Sequence, residues 1–136
     1  MRTYIATKFE NTNEFYKMRE LIQSTGHTVT HDWTTEDWAV KRNLDEKMEF
    51  REQCAILDFQ GVVEADALIL IQHEDMKGAY VELGIALANN KHVIIVGGWT
   101  PALRHNIFYE IPGIVHVQTM EDAHIALDQI ATEILA

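Results

Sequence analysis

Ala65-Asp66-Ala67-Leu68-Ile69-Leu70-Ile71-Gln72 is a continuous apolar run with one acid at its start. A strand with one wet face alternates polar and apolar residues, and this one does not. It fits a central strand buried on both faces, which is the habit of parallel sheets. Parallel strands need long crossovers, so helices are expected on either side of the run.

The rest of the chain supplies them. Thr3-Tyr4-Ile5-Ala6-Thr7 predicts a first buried strand, and Thr28-Val29-Thr30-His31 a second. Between them, Asn11, Thr12 or Asn13 is placed to cap a helix with Phe15, Met18, Leu21 and Ile22 on its apolar face, ending at Gly26. Strand, helix, glycine, strand is a βαβ signature. Val93 to Val96 predicts a fourth strand, ending in Gly97-Gly98, and Ile114 to Val117 a fifth. Helical patterns cover Leu44 to Glu64, Ala79 to Asn90 and Met120 to Leu135. The expected fold is a single α/β domain over residues 1–136. It is a three-layer, doubly wound (flavodoxin- or Rossmann-like) parallel five-stranded sheet.

Composition narrows the function. Lys+Arg 11 against Asp+Glu 21 gives a formal charge of −10. That balance argues against a nucleic-acid polymer as partner, because polymer binders need a basic stripe. It leaves room for a small phosphorylated ligand in a local site. The one cysteine, Cys54, cannot form an intrachain disulfide and reads as a packed core thiol. No apolar run approaches the ~20 residues of a membrane span, and Met1 leads straight into a strand-like run without a signal-peptide pattern. A cytoplasmic protein without a membrane partner is the expectation.

In a doubly wound sheet the ligand lies at the carboxyl ends of the strands. That edge takes in Thr7 to Asn13, His31 to Asn43, Gln72 to Gly78, the stretch from Gly97 onward, and Val117 to Met120. Trp33 and Trp38 stand in the second of these loops, either folding back onto the core or walling a pocket. In the Leu44 to Glu64 helix, Leu44, Met48, Ala55 and Val62 share a stripe with Asp58, while Phe50, Cys54 and Leu57 form another. Two apolar sides predict burial against the sheet and against a second subunit. An acid on such a stripe is costly unless it meets a partner or lines a cavity; a wet helix end is the alternative. Asp66 reads as a strand-end hydrogen-bonding acid.

Lys77-Gly78-Ala79-Tyr80-Val81-Glu82-Leu83-Gly84 is the most informative segment. A loop leaves the central strand, Gly78 permits a tight turn, and a helix begins. Glu82 is expected in the first helical turn, where unpaired amides stabilise a carboxylate. An oriented carboxylate is what nucleophilic attack on a sugar carbon requires. Charge complementarity at a helix terminus is the plainer explanation of the same spacing.

Several segments together resemble the nucleoside 2-deoxyribosyltransferase family, which includes the related 2′-deoxynucleoside 5′-phosphate N-hydrolases. They are Tyr4-Ile5-Ala6-Thr7-Lys8-Phe9, then Asp58, then Ala65-Asp66 with its apolar strand. Gly78 to Ala88 follows, then Lys91 and the strand Val93 to Val96. The Glu-Leu-Gly block after a glycine is the specific part. The resemblance implies an enzyme that cleaves the N-glycosidic bond of a deoxynucleoside or deoxynucleotide, by base transfer or hydrolysis. The catalytic residues it implies are Glu82 as nucleophile, Asp58 assisting the leaving base or orienting the sugar, and Tyr4 positioning nucleophile or sugar. It also implies a homodimer or higher homo-oligomer with shared active sites.

The candidate substrate contacts are Thr7, Lys8, Phe9, Trp33, Lys77 and Gly78, with Asn106 entering a neighbour's site or simply serving a turn. The family's hydroxyl beside the glycine is Ala79 here, and Met76 stands near the place of its phosphate-binding serine. Lys8 or Lys77 is then the candidate phosphate contact, and nucleoside and nucleotide both remain open. The seven histidines lack metal-site spacing, so no metal is expected. Gly97-Gly98-Trp99 is not a dinucleotide fingerprint, and no cofactor is expected. The loss of the hydroxyl and serine contacts also motivates a second reading, a non-catalytic nucleotide-binding module using the same pocket.

Overall fold

In a computed structural model that describes residues 1–36, 48–98 and 106–135, the five apolar runs form one sheet. The strands are β1 (Arg2–Ala6), β2 (Thr28–Val29), β3 (Ala67–Ile71), β4 (His92–Val96) and β5 (Val115–Val117). Every pairing is parallel, and the order is β2-β1-β3-β4-β5. This is the doubly wound arrangement expected, with its reversal of strand order between β1 and β3. Residues of β3 are buried throughout, as a two-sided apolar run demands. Thr3 pairs with Ala67 and Ala6 with Leu70, so β1 and β3 end level at the edge where a ligand would lie.

Four helices flank the sheet among the described residues: α1 (Thr12–Gln23), α2 (Met48–Glu64), α3 (Gly78–Ala88) and α4 (Met120–Leu135). α1 packs with α4, and α2 with α3. Phe15, Met18 and Ile22 of α1 are buried while Leu21 is half-buried, close to the face expected. Asn11 takes the N-cap place but makes no side-chain cap bond. After α1, Gly26 adopts φ +90°, a conformation glycine reaches without strain, and the chain reverses into β2. Asp66 accepts from the Arg2 backbone N–H at 2.9 Å, and that bond, ahead of the Arg2 side chain, lowers its pKa. At the far side of β3, buried Tyr109 in a short 3₁₀ turn (Ile107–Glu110) donates to Gln72.

α2 departs from expectation. Only Cys54, Gly61 and Val62 are buried; Met48 is 62% exposed, and Ile56, Leu57 and Phe59 are about half exposed. The narrow side that meets the fold takes Val62 from one expected stripe and Cys54 from the other, while Met48 and Ala55 of the first and Leu57 of the second are exposed, so neither stripe is buried as a whole. Leu44 and Trp38 lie outside the described residues.

At Gly61, α2 packs tightly against β1. A Cβ there would lie 2.9 Å from His31 Cβ and 3.0 Å from the Tyr4 ring. Alanine in place of glycine gains up to ~1 kcal/mol of helix propensity, but overpacking costs ~1–3 kcal/mol. Gly61→Ala is therefore expected to lose about 1–2 kcal/mol net by these two terms. Chemical denaturation reads this directly; an unchanged or raised midpoint would show that α2 can back away at no cost.

Candidate functional site

The reversal between β1 and β3 opens a cleft of about 860 Å³, within the ~300–1,000 Å³ range of small-molecule sites. Its floor comes from the ends of β1 and β3. Thr7, one residue past β1, is buried and donates its hydroxyl to Ile71 O at 2.9 Å, tying the two strand ends together. Lys8, Phe9 and Glu10 continue from Thr7 along one wall. Asp75, Lys77, Gly78 and Ala79 form the β3–α3 side, and Val81, Glu82 and Ile85 come from α3. Ala55, Asp58 and Phe59 of α2 face them, and Trp33 completes the lining. A smaller polar cleft adjoins it, sharing Lys8 and Asp75 and adding Asn11, Gln72, His73 and Glu74.

The carboxylates are held by neighbours from other elements. Tyr4, fully buried on β1, donates its hydroxyl to Glu82 Oε2 across 78 residues of sequence. Burial, and then the negative charge of Glu82, push the Tyr4 phenol well above its ordinary pKa, so it remains a donor. Asp58 lies mid-helix in α2, its side chain 24% exposed, and pairs with His31 Nε2 at 3.2 Å. The same nitrogen lies 2.7 Å from Glu36 Oε1, and Glu36 is itself buried. Hydrogen bonding to Asp58 and then to Glu36 outweighs burial and raises the His31 pKa to about 9. The imidazole is thus a cation between two acids at neutral pH.

The loop carrying Glu36 and Trp33 is pinned by Asp32. Its carboxylate accepts from Thr34 N at 2.9 Å and pairs with Arg19 of α1 at 3.0 Å. These bonds shape the 3₁₀ turn Trp33–Thr35, which carries Trp33 inward and returns Glu36 toward His31.

Eight of the sequence candidates line the cleft: Asp58, Glu82, Thr7, Lys8, Phe9, Trp33, Lys77 and Gly78. Tyr4 sits behind them, touching Glu82. Asn106 does not line it; its side chain accepts from Phe108 N and caps the 3₁₀ turn. Trp33 is 3% exposed, donates to Ile5 O at 2.7 Å and packs on Phe9 and Phe15. It folds back onto the core and lends only an edge to the cleft.

Glu82 lies outside the first helical turn, contrary to expectation. α3 starts at Gly78, so Glu82 is its fifth residue, beyond the first four orphan N–H groups. Tyr4 takes over the stabilising part. His31 stood out in the sequence only as a residue at the ligand edge of the second strand. Glu36 gave no signal, since its burial depends on a turn that periodicity cannot show.

His31, Glu36 and Asp58 each offer a ligand atom, all within 4.8 Å of one another. A divalent cation would have to displace the imidazolium proton that holds the three together.

No protein-family model matches the sequence, and no curated protein does. Among solved structures, the chain is similar to the Clostridium botulinum CMP N-glycosidase BcmB, with a TM-score of 0.62 and 16% identity. The likeness covers 95% of this chain and 99% of that one. The two share a fold along essentially their whole lengths.

Proposed function

We propose that the protein cleaves the N-glycosidic bond of a nucleoside or nucleotide, in the manner of the nucleoside 2-deoxyribosyltransferase family, through a glycosyl ester on Glu82. One observation carries this: a carboxylate on α3, held by a buried tyrosine, faces a second carboxylate across a cleft at the strand-order reversal. The shared fold with a CMP N-glycosidase supports it.

In the first step a Glu82 oxygen attacks the anomeric carbon. The bond to the base nitrogen breaks, and its electron pair leaves with the base, which takes up a proton. Asp58 orients the sugar or passes that proton. In the second step water, or a second base, attacks the same carbon and frees the Glu82 carboxylate. The apolar side chains of Ala55, Phe59, Val81 and Ile85 suit the flat faces of a base, and Lys8 and Lys77 are the contacts for a phosphate. A second copy closing the exposed side of α2, with its Asn106 near the cleft mouth, belongs to the same proposal.

The test is incubation with a panel of deoxynucleosides, ribonucleosides and their 5′-phosphates, reading free base by chromatography. Base release is expected from at least one class, and consumption of an added second base marks transfer. Tight calorimetric binding of an unchanged nucleotide, with no product after long incubation, would replace the enzyme by a binding module.

Tyr4→Phe keeps the packing and removes the hydrogen bond to Glu82. A bond to a charged group contributes ~1.5–3 kcal/mol, so kcat is expected to fall about 10- to 100-fold. A full-rate Tyr4→Phe enzyme would leave the tyrosine without a part in orienting Glu82.

A further inference from the structure

We propose that His31 is a positioning residue, an imidazolium that holds the Asp58 carboxylate against the cleft wall with the buried Glu36 as its counter-anchor. This rests on the reading of the cleft as an N-glycosidase site, which His31 itself does not line.

The geometry is a single nitrogen shared by two acids. Nε2 lies 2.7 Å from Glu36 Oε1 and 3.2 Å from Asp58 Oδ1, and the acids come from different elements, the β2-following loop and α2. Both are at least half-buried, Glu36 being 8% exposed. Two carboxylates this close repel unless a cation stands between them. Taking Glu36 out of water is costly unless it is paired.

The root of the His31 side chain is closely packed. The backbone of Gly61, almost one helical turn beyond Asp58, passes so close that even a methyl group would collide with His31 Cβ and the Tyr4 ring. Packing therefore places the Cβ, and the two acids orient and charge the ring.

The groups around it have separate partners or the same sign. On β1, Tyr4 is a neutral phenol committed to Glu82 of α3. Asp32, next in sequence, is paired with Arg19 of α1. Among the described residues, Glu36 and Asp58 are the acids paired with the ring. While His31 is protonated, Nε2–H is hydrogen-bonded to Glu36 and the ring's charge pairs with Asp58. Once the ring is neutral, Nε2 keeps its N–H and the lone pair sits on Nδ1, but the positive charge between the two carboxylates is gone, and their repulsion loosens the hold on Asp58. The folded-state pKa of His31 is raised from 6.5 to about 9. Its contribution to stability is therefore fully present below pH 6.5 and lost as pH rises through about 9.

The test has two arms on the whole protein. The first follows the His31 ring protons by NMR, assigned by their loss in His31→Gln. The expected midpoint is near 9 in the parent protein and falls toward 6.5 in Glu36→Gln and in Asp58→Asn. A parent midpoint near 6.5 overturns the proposal. The second arm is the pH profile of base release. The parent is expected to lose kcat above about pH 9, whereas His31→Gln loses 10-fold or more of kcat at neutral pH with KM nearly unchanged and no alkaline limb of its own. An unchanged alkaline limb in His31→Gln also overturns it. If the parent releases no base from any substrate, the N-glycosidase reading fails by itself, and the NMR arm still decides whether His31 is the cation between the two acids.

Discussion

Glu82→Gln should fold as the parent does and release base at least ~10³-fold more slowly, equivalent to about 4 kcal/mol of lost transition-state stabilisation. The substitution changes one oxygen to an amide nitrogen and keeps volume, so the half-buried side chain still fills its place beside Tyr4. The remaining oxygen can still accept from the tyrosine hydroxyl. What disappears is the anion. A neutral amide does not form an ester with the anomeric carbon, and it offers little charge to an oxocarbenium-like transition state. Substrate binding should change much less than kcat, because the cleft walls and both lysines remain. Full activity in Glu82→Gln would remove the nucleophile from the account.

The largest effect on stability is expected at Trp33. Trp33→Ala should cost ~3–5 kcal/mol, the range for emptying a large aromatic from a core. Its indole is 3% exposed, lies 5.1 Å (ring centres) from Phe15 and 5.6 Å from Phe9, and donates to Ile5 O at 2.7 Å. Removing it opens a cavity between β1, α1 and the segment after β1, and leaves the Ile5 carbonyl without that donor. Phe9 then loses its backing at the cleft wall, so weaker substrate binding should accompany the loss of stability. Urea denaturation measures the first and KM the second. A loss below ~1 kcal/mol would mean that the turn carrying Trp33 does not wedge the fold together.

The fold was legible because its strands announce themselves. β3 is apolar at every position, and only a parallel, two-sided setting explains that. Gly26 ends the first crossover cleanly, and the preference for right-handed crossovers leaves few strand orders. The site was legible to the extent that loops after parallel strands must meet at one edge. Thr7, Lys8, Lys77 and Gly78 follow from that rule, Asp58 from its place on an apolar stripe, and Glu82 from the helix that begins after Gly78 at the end of the central strand.

Other features depend on contacts that no local pattern encodes. Adding Gly78 to α3 moves Glu82 past the orphan amides, and a tyrosine 78 residues away replaces them. Periodicity grouped the apolar residues of α2 into two stripes, but contacts divide both of them: Val62 and Cys54 are buried, while Met48 and Leu57 are exposed. Trp33 had two readings because a tryptophan in a loop serves a core and a pocket equally well. The hydrogen bond to Ile5 decides for the core. Glu36 became visible only once Asp32 had shaped the turn before it.

The most direct measurement is peptide mass spectrometry of the protein quenched in acid during reaction with a 2′-fluoro-arabinosyl analogue of whichever nucleoside or nucleotide it cleaves. The fluorine disfavours positive charge at the anomeric carbon and lets a sugar ester accumulate. The account predicts one peptide heavier by the fluorinated sugar, with the added mass on Glu82. Turnover of the analogue with the sugar on a different residue, or with base released and no peptide carrying it at any time, would contradict it.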